Sequence, residues 1–239
     1  HLIPFPHPTP ICQPLIAVFL FLGFAVAYLA LLSWGVTLAN RHGWRTPANL
    51  PLLVLAALVY DNLIIGVGRF LGDGSLLHSL NLARFWIHAA VTPVLVAWAL
   101  HALKRAGFGW AQGAGFQAFS IVATLGLVAL EYLTELRGLR IVPRDEYGTL
   151  SYTNALPADG PPLMVLIVAA VLIVVGGMIW RKQGWPWLFV GAVVMTVGSA
   201  VELPIESAAA TNAFELLLLA SIVATKSFQD RQLARSSVT

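Results

Sequence analysis

The chain has 239 residues, of which 58% are hydrophobic and 10% are charged, and its mean hydropathy is +0.80. Soluble domains average about 25% charged residues, so this composition excludes an ordinary soluble domain and predicts an integral membrane protein. The net charge of +3 does not indicate nucleic-acid binding, because the cations lie in short loops between apolar runs. A single cysteine, Cys12, excludes an internal disulfide framework and any multi-cysteine metal site.

Seven apolar segments approach the length of about 20 residues that crosses a bilayer. They cover residues 14–38, 50–71, 82–103, 115–136, 162–180, 186–204 and 211–227. The sequence therefore predicts an all-α fold, a polytopic seven-transmembrane-helix bundle that forms one domain over residues 1–239. Nine of the 14 cations lie in one set of loops and in the C-terminal tail, with Asp230 the only acid among them. The positive-inside rule then places the N-terminus outside and the C-terminus in the cytoplasm of a bacterial-type inner or plasma membrane.

The long loop over residues 137–161 lies on the predicted outer side. Its segments "LRIVP" and "GTLSYT" have strand character and are separated by residues that favour a turn. The loop is therefore consistent with a short external hairpin that forms a lid over the outer mouth of the bundle. A solvated connector is the alternative.

Charged side chains from several predicted helices fall at one depth, in the outer half of the membrane. A carboxylate in mid-membrane costs about 2.5–3.5 kcal/mol on insertion scales, so Asp61 is expected to pair with a cation or to line a cavity. Arg84 and His88 are four residues apart and share a helix face. The predicted partners of Asp61 are Arg84 and Arg69. Because Arg69 is about 12 Å further along the same helix, we expect it on the same cavity wall rather than in direct contact.

Other acids on this side each have a structural alternative. Glu131 could belong to a solvated helix end, and Glu215 follows Asn212 at the spacing of a capping box. The candidate acid–base residues are Asp61, His88, Glu131, Glu202 and Glu215. The candidate substrate-binding residues are Tyr60, Asn62, Arg69, Arg84, Phe85, Trp86, Tyr132, Asn212 and Phe214. The six histidines never pair four residues apart, so the sequence predicts no metal site, and it predicts no other cofactor.

Seven helices with an external N-terminus resemble the outline of a microbial rhodopsin, but no lysine lies midway along the last predicted helix to bind retinal. The chain more closely resembles the integral-membrane terpene cyclases of fungal and bacterial meroterpenoid pathways, which have a similar size and rely on intramembrane acids early and late in the chain. This resemblance implies that Asp61 and Glu215 are the matching acids. It also implies class II cyclisation, in which a carboxylic acid protonates an alkene or epoxide in a dry pocket near aromatic faces.

The sequence is compatible with three functions. The first is an enzyme that acts on a lipid or isoprenoid by acid–base chemistry, either cyclisation or isomerisation. The second is a proton-coupled transporter, which the scarcity of charge in the predicted inner half and the lack of a visible inverted repeat disfavour. The third is a ligand-sensing or structural membrane subunit. A polar cluster on one side of the membrane favours a pocket over a pathway, so the enzyme ranks first. The expected partners are the bilayer and a lipid or isoprenoid molecule, and the sequence leaves the oligomeric state open.

Overall fold

The computed structural model describes residues 15–156, 162–200 and 208–236. Within these ranges the chain is mainly α-helical, and its helices run up and down as expected for apolar segments joined by short connections. The α-helices are α1 (Ile16–His42), α2 (Pro51–Leu71), α3 (Ser75–Val91), α4 (Val94–Arg105), α5 (Ala114–Glu131), α6 (Leu163–Gln183), α7 (Trp187–Ala200) and α8 (Ala208–Ser236). Short 3₁₀ turns cover Pro47–Asn49 and Gly109–Gln112, and a π-helical turn, Tyr132–Leu136, continues α5.

Six helical segments in the described ranges are long and apolar enough to cross a membrane. They are Ile16–His42, Pro47–Leu71, Ser75–Arg105, Ala114–Leu136, Leu163–Gln183 and Ala209–Ser236. The chain is therefore a multi-pass integral membrane protein with an all-α bundle. The segment predicted as the sixth span contains α7, which is apolar but shorter than the other six. A count of seven spans stays a prediction.

The largest differences between the predicted spans and the observed helices are at the ends of the third and the last span. The third span combines α3 and α4 and begins at Ser75, seven residues before the predicted start. It is interrupted at Thr92–Pro93, because a proline lacks the N–H that would continue the helix and its ring crowds the preceding turn. The last helix continues past the predicted end at 227 to Ser236, and its buried Gln229 and Asp230 contact α4.

The bundle has two ends, which we call the hairpin end and the tail end. The hairpin end is formed by the C-terminal end of α2 and the N-terminal ends of α3, α6 and α8, together with a β-hairpin. The tail end is formed by the C-terminal ends of α1, α4, α6 and α8. Between them lies a core of fully buried side chains that includes Tyr28, Leu55, Trp98, Leu172 and Ile222.

The β-hairpin consists of β1 (Ile141–Glu146) and β2 (Thr149–Asn154), which pair antiparallel from Ile141 opposite Asn154 to Glu146 opposite Thr149. Its turn is Tyr147–Gly148, with φ of 46° and 88°. Positive φ at both central residues is typical of a type I′ turn, whose twist matches that of the paired strands. The long loop of the sequence thus contains a regular hairpin with a fixed register.

The tail end contains a buried ionic network instead of only solvated charge. Asp230 accepts a hydrogen bond from Lys226 at 2.6 Å and another from Arg105 of α4. Lys226 and Asp230 are 3% and 4% exposed. The neighbouring Gln229 donates to the carbonyl oxygen of Ala102 at 3.0 Å. These contacts join α8 to α4, and they place charge inside the half of the bundle where the sequence analysis expected very little.

Candidate functional site

A cavity of about 370 Å³ lies inside the bundle, between α2, α3, α4, α6, α7 and α8. Most of its lining is aliphatic, as expected for a binding site that buries an apolar molecule. The cavity extends from Arg84 on α3 to Leu95 on α4, a distance of about 16 Å at 1.5 Å per helical residue. It is therefore elongated along the axis of the bundle.

The titratable residues that line this cavity lie nearest the hairpin end. Asp61 is the last lining residue of α2, and Arg84 and Glu215 are the first lining residues of α3 and α8. Towards the tail end each of these helices contributes aliphatic side chains, such as Val91 of α3 and Leu219 of α8. The cavity thus has a polar end, which we call the polar mouth, and an apolar end, which we call the apolar floor, and this distribution of polarity fits an amphiphile with a single polar group.

An ion pair joins the two helices at the mouth. Arg84 Nε donates to Asp61 Oδ1 at 2.7 Å, and the two side chains are 14% and 27% exposed. Arg84 Nη1 also donates to Asn81 Oδ1 at 2.6 Å. The guanidinium therefore uses two of its forked donors at once, which fixes its plane. The structure contains the predicted pair between Asp61 and Arg84.

His88 and Glu215 face the same cavity from α3 and α8. Both interact electrostatically with Asp61, which also lines the cavity. The His88 ring is within 3.3 Å of Thr92 Oγ1, one helical turn further along the same face. Three titratable groups on three different helices therefore surround one end of one cavity.

The capping interpretation of Glu215 is wrong. The helix α8 begins at Ala208, upstream of the predicted cap, so Asn212 is already inside the helix and Glu215 is two turns from its start. The carbonyl oxygen of Asn212 accepts a hydrogen bond from the buried Tyr28 hydroxyl at 3.0 Å. Glu215 therefore has no role in starting the helix, and its side chain lines the cavity instead.

Two other polar candidates lie outside the cavity lining. Asn62 is next to Asp61 in sequence but about 100° further around the helix, so its side chain faces away and donates to the carbonyl oxygen of Leu58 at 2.9 Å. Glu131 is 5% exposed at the junction of α5 with the π-helical turn. Neither belongs to the group formed by Asp61, His88 and Glu215. Glu202 lies outside the described residues.

Most of the aromatic candidates do not line the cavity. Trp86 and Tyr132 pack against each other with ring centroids 6.1 Å apart, and the Phe214 ring occupies the space over Gly198 between α8 and α7. Phe85 is half-buried and does not line the cavity. Tyr60 does line it, and its hydroxyl donates to the carbonyl oxygen of Leu80 at 2.9 Å. The depth of a residue along its helix did not predict whether its ring lines the cavity, because the ring must also be on the face of the helix that points towards the cavity.

The β-hairpin packs on α2 and α3 beside the polar mouth. Gly68 of α2 allows this contact, since a Cβ atom there would lie 2.0 Å from the carbonyl oxygen of Leu150. Arg69 was expected on the cavity wall but lies outside it, because its guanidinium donates to the carbonyl oxygen of Gly148 at 3.3 Å. The Tyr152 hydroxyl donates to Asp73, and this hydrogen bond raises the pKa of Tyr152 above its usual range.

Asn81 is the residue of this site that the sequence analysis missed. It is fully buried on α3, and its side chain contacts both Arg84 and the backbone of β2. The signal was present in "NLAR", which places an amide three residues before the arginine and hence on the same helix face. Within the described part of the chain, no cluster of three or more histidine, cysteine or acidic residues could hold a metal ion.

The comparisons with known proteins give no family for this chain. No protein-family model matches it, and no curated protein matches its sequence significantly.

Proposed function

We propose that the protein is a membrane-embedded enzyme that acts on a lipid or isoprenoid by acid–base chemistry, either cyclisation or isomerisation. The observation that carries this proposal is the convergence of Asp61, His88 and Glu215 at the polar mouth of an otherwise aliphatic cavity. Ionisable groups are costly inside a membrane protein, and those that line a cavity commonly mark a functional site. An apolar floor accommodates a hydrocarbon chain while the mouth holds the reacting group.

The two carboxyl groups have different surroundings, which suggests different roles. Arg84 pairs directly with Asp61, and in this proposal Asp61 is the base or the negative charge that stabilises a developing cation. Glu215 has Asp61 as its neighbouring charge, and no basic side chain of the described chain forms an ion pair with it. Glu215 is therefore the better proton donor in this proposal, and His88, which lines the same cavity and interacts with Asp61, is the candidate proton relay.

A terpene-cyclase-like reaction is the specific form of the proposal that the lining supports. The acids that the family resemblance identifies, Asp61 and Glu215, both line the same cavity. Tyr60 supplies an aromatic face among the described lining residues, next to the ion pair. Isomerisation of an isoprenoid double bond would use the same donor and base without the need for several aromatic faces.

The proposed orientation has the hairpin end outside. Arg41, Lys104, Arg105, Arg181 and Lys182 lie in the last turns of the helices that end at the tail end. An excess of lysine and arginine in short loops is typical of the cytoplasmic side. The polar mouth would then open towards the outer leaflet, and a substrate would reach it from the membrane.

The test is mass spectrometry of the organic extract from detergent-purified protein, followed by turnover of whatever isoprenoid or lipid is found. The variants are Asp61→Asn and Glu215→Gln, and the matched control is Glu135→Gln, which removes a carboxylate that does not line the cavity. An enzyme predicts a bound molecule whose structure differs between the wild type and the two cavity variants. The same molecule in all four proteins would indicate a binding or sensing protein.

Proton-coupled transport is the second candidate, and the tail-end network favours it. Asp230, Lys226 and Arg105 supply a second buried group of charges on the opposite side of the core. A relay between the two ends would have to cross a layer of buried apolar side chains that includes Leu55, Trp98 and Leu172. Proton flux in liposomes that is lost in Asp61→Asn would support transport, and an impermeable wild type would exclude it.

A further inference from the structure

We propose that Asn81 is a positioning residue that joins the β-hairpin to the ion pair of Asp61 with Arg84, so that hairpin docking and the orientation of Arg84 are coupled. Two hydrogen bonds end on one atom of this side chain. Asn81 Oδ1 accepts from Arg84 Nη1 at 2.6 Å and from the backbone N–H of Tyr152 at 3.1 Å. One buried oxygen thus contacts both Arg84, which lines the cavity, and the backbone of β2.

The position of this oxygen is fixed by the rest of the side chain. Asn81 is 0% exposed, and its Nδ2 donates to the carbonyl oxygen of Leu77 at 2.8 Å. That bond determines which side of the amide group faces Arg84 and the hairpin. Because the site is closed to solvent, a displaced partner could not be replaced by water without exposing the amide.

The arginine transmits the position of this oxygen to the cavity. Its Nε donates to Asp61 while its Nη1 donates to Asn81, and the guanidinium is planar. A shift of either acceptor therefore rotates the whole group relative to the other. A lysine at this position would keep the positive charge but has no planar fork to hold both acceptors in fixed directions.

The hairpin does not depend on Asn81 alone to stay in place. Its turn accepts a hydrogen bond from Arg69, Tyr152 donates to Asp73, and the backbone at Leu150 packs directly on Gly68. The bond from Tyr152 N–H to Asn81 is the contact through which β2 reaches the ion pair. Its role is therefore to link the two parts rather than to hold the strand.

This inference rests on the proposed function in one respect, namely that the cavity takes a ligand. A ligand whose polar group competes with Arg84 for Asp61 would then change the contact between α3 and β2. The coupling itself exists without a ligand and can be measured without one. A failure of the catalytic proposal leaves that measurement unaffected.

The experiment is hydrogen–deuterium exchange of the full protein in detergent, read on peptides from β2 and, as an internal reference, on peptides from α6. Arg84→Lys changes a residue that donates no hydrogen bond to the hairpin. We expect the Tyr152 amide to exchange about five- to tenfold faster in this variant, a factor of the size of one net hydrogen bond. The reference peptides of α6 should keep the wild-type rate.

Two substitutions at position 81 and one control complete the test. Asn81→Leu removes the acceptor and should accelerate exchange in β2, whereas Asn81→Asp loses the bond to Leu77 but keeps an acceptor oxygen and should accelerate exchange less. Thr196→Val, which changes the cavity lining on α7, should leave β2 unchanged. The proposal is overturned by an unchanged β2 in Arg84→Lys, by equal effects of the two Asn81 variants, or by exchange that rises equally in α6.

Discussion

Arg84 and Asp61 form a 2.7 Å ion pair between α3 and α2 in the wall of an apolar cavity. The pair brings charge into the bundle interior, and it remains favourable because the guanidinium satisfies a second acceptor, Asn81, at the same time. Each partner therefore depends on the other for its burial. These residues therefore contribute both to the stability of the protein and to the polarity of the cavity.

Removal of the cation should destabilise the fold. Arg84→Ala leaves Asp61 without its counter-charge and removes one of the two donors to Asn81 Oδ1, so we expect the free energy of unfolding to fall by about 2–4 kcal/mol. Thermal unfolding in detergent measures this loss. The matched variant Arg69→Ala, which removes one long hydrogen bond to the hairpin, should have a smaller effect. Equal melting temperatures for wild type and Arg84→Ala would contradict the pairing argument.

Replacement of the Asp61 carboxylate by an amide should lower turnover without unfolding the protein. Asp61→Asn keeps the shape and an acceptor oxygen for Arg84, so the protein should still fold. If Asp61 takes part in proton transfer, turnover of the identified substrate should fall by about 10²- to 10⁴-fold. Steady-state kinetics on folded protein give the answer. Wild-type turnover in this variant would remove Asp61 from the mechanism.

Filling the cavity should expel its ligand. Ala169 lines the cavity on α6, whereas the next residue, Ala170, is exposed on the outer surface of the same helix. Ala169→Phe places a ring in the cavity and should abolish retention of a bound lipid or isoprenoid, while Ala170→Phe should retain it. Mass spectrometry of the two purified variants compares them directly. Retention by both variants would place the ligand elsewhere.

A methyl group at Gly68 should displace the hairpin. Its Cβ would lie 2.0 Å from the carbonyl oxygen of Leu150, which belongs to backbone and cannot rotate away. We expect Gly68→Ala to cost about 1–3 kcal/mol of stability, as for other overpacked contacts, and to speed amide exchange in β2. Gly126→Ala is the control, because nothing lies within 4 Å of its added Cβ. It should be neutral or slightly stabilising.

Alkaline pH should weaken hairpin docking. The hydrogen bond to Asp73 raises the pKa of Tyr152 above the value of about 10 that a tyrosine has in an unfolded chain. The stabilisation is therefore complete below about pH 10 and is lost as the pH rises through the higher folded-state value. Tyr152→Phe should remove this dependence. Melting temperatures of both proteins between neutral and strongly alkaline pH measure it.

Much of the helical framework follows from hydropathy, because a bilayer rewards long apolar helices whatever their packing. The pair of Asp61 with Arg84 was also predictable, since an intramembrane carboxylate needs a cation. Rotational position was harder to infer. Asn62 and Phe214 lie at the right depth but face other neighbours, and these orientations depend on how helices distant in sequence pack together.

Short sequence patterns are poor predictors where contacts between residues distant in sequence determine the structure. The sequence around Asn212 has the spacing of a capping box, yet the helix begins four residues earlier. The charged C-terminal tail reads as a solvated cytoplasmic segment, but Gln229 and Asp230 are buried because α4 supplies their partners. A hydropathy pattern cannot show which loop cation will reach which acid across more than a hundred residues.

The interruption at Thr92–Pro93 divides the span made of α3 and α4 into two halves that can bend relative to each other. Proline removes one backbone hydrogen bond at the junction, so the helix is more easily bent there than elsewhere along its length. The α4 half is fixed to α8 through the bond from Gln229 to the carbonyl oxygen of Ala102. The α3 half is held at the other end by side-chain contacts with α2 and the hairpin. Any bending of this span would therefore change the position of the polar mouth relative to the apolar floor of the cavity.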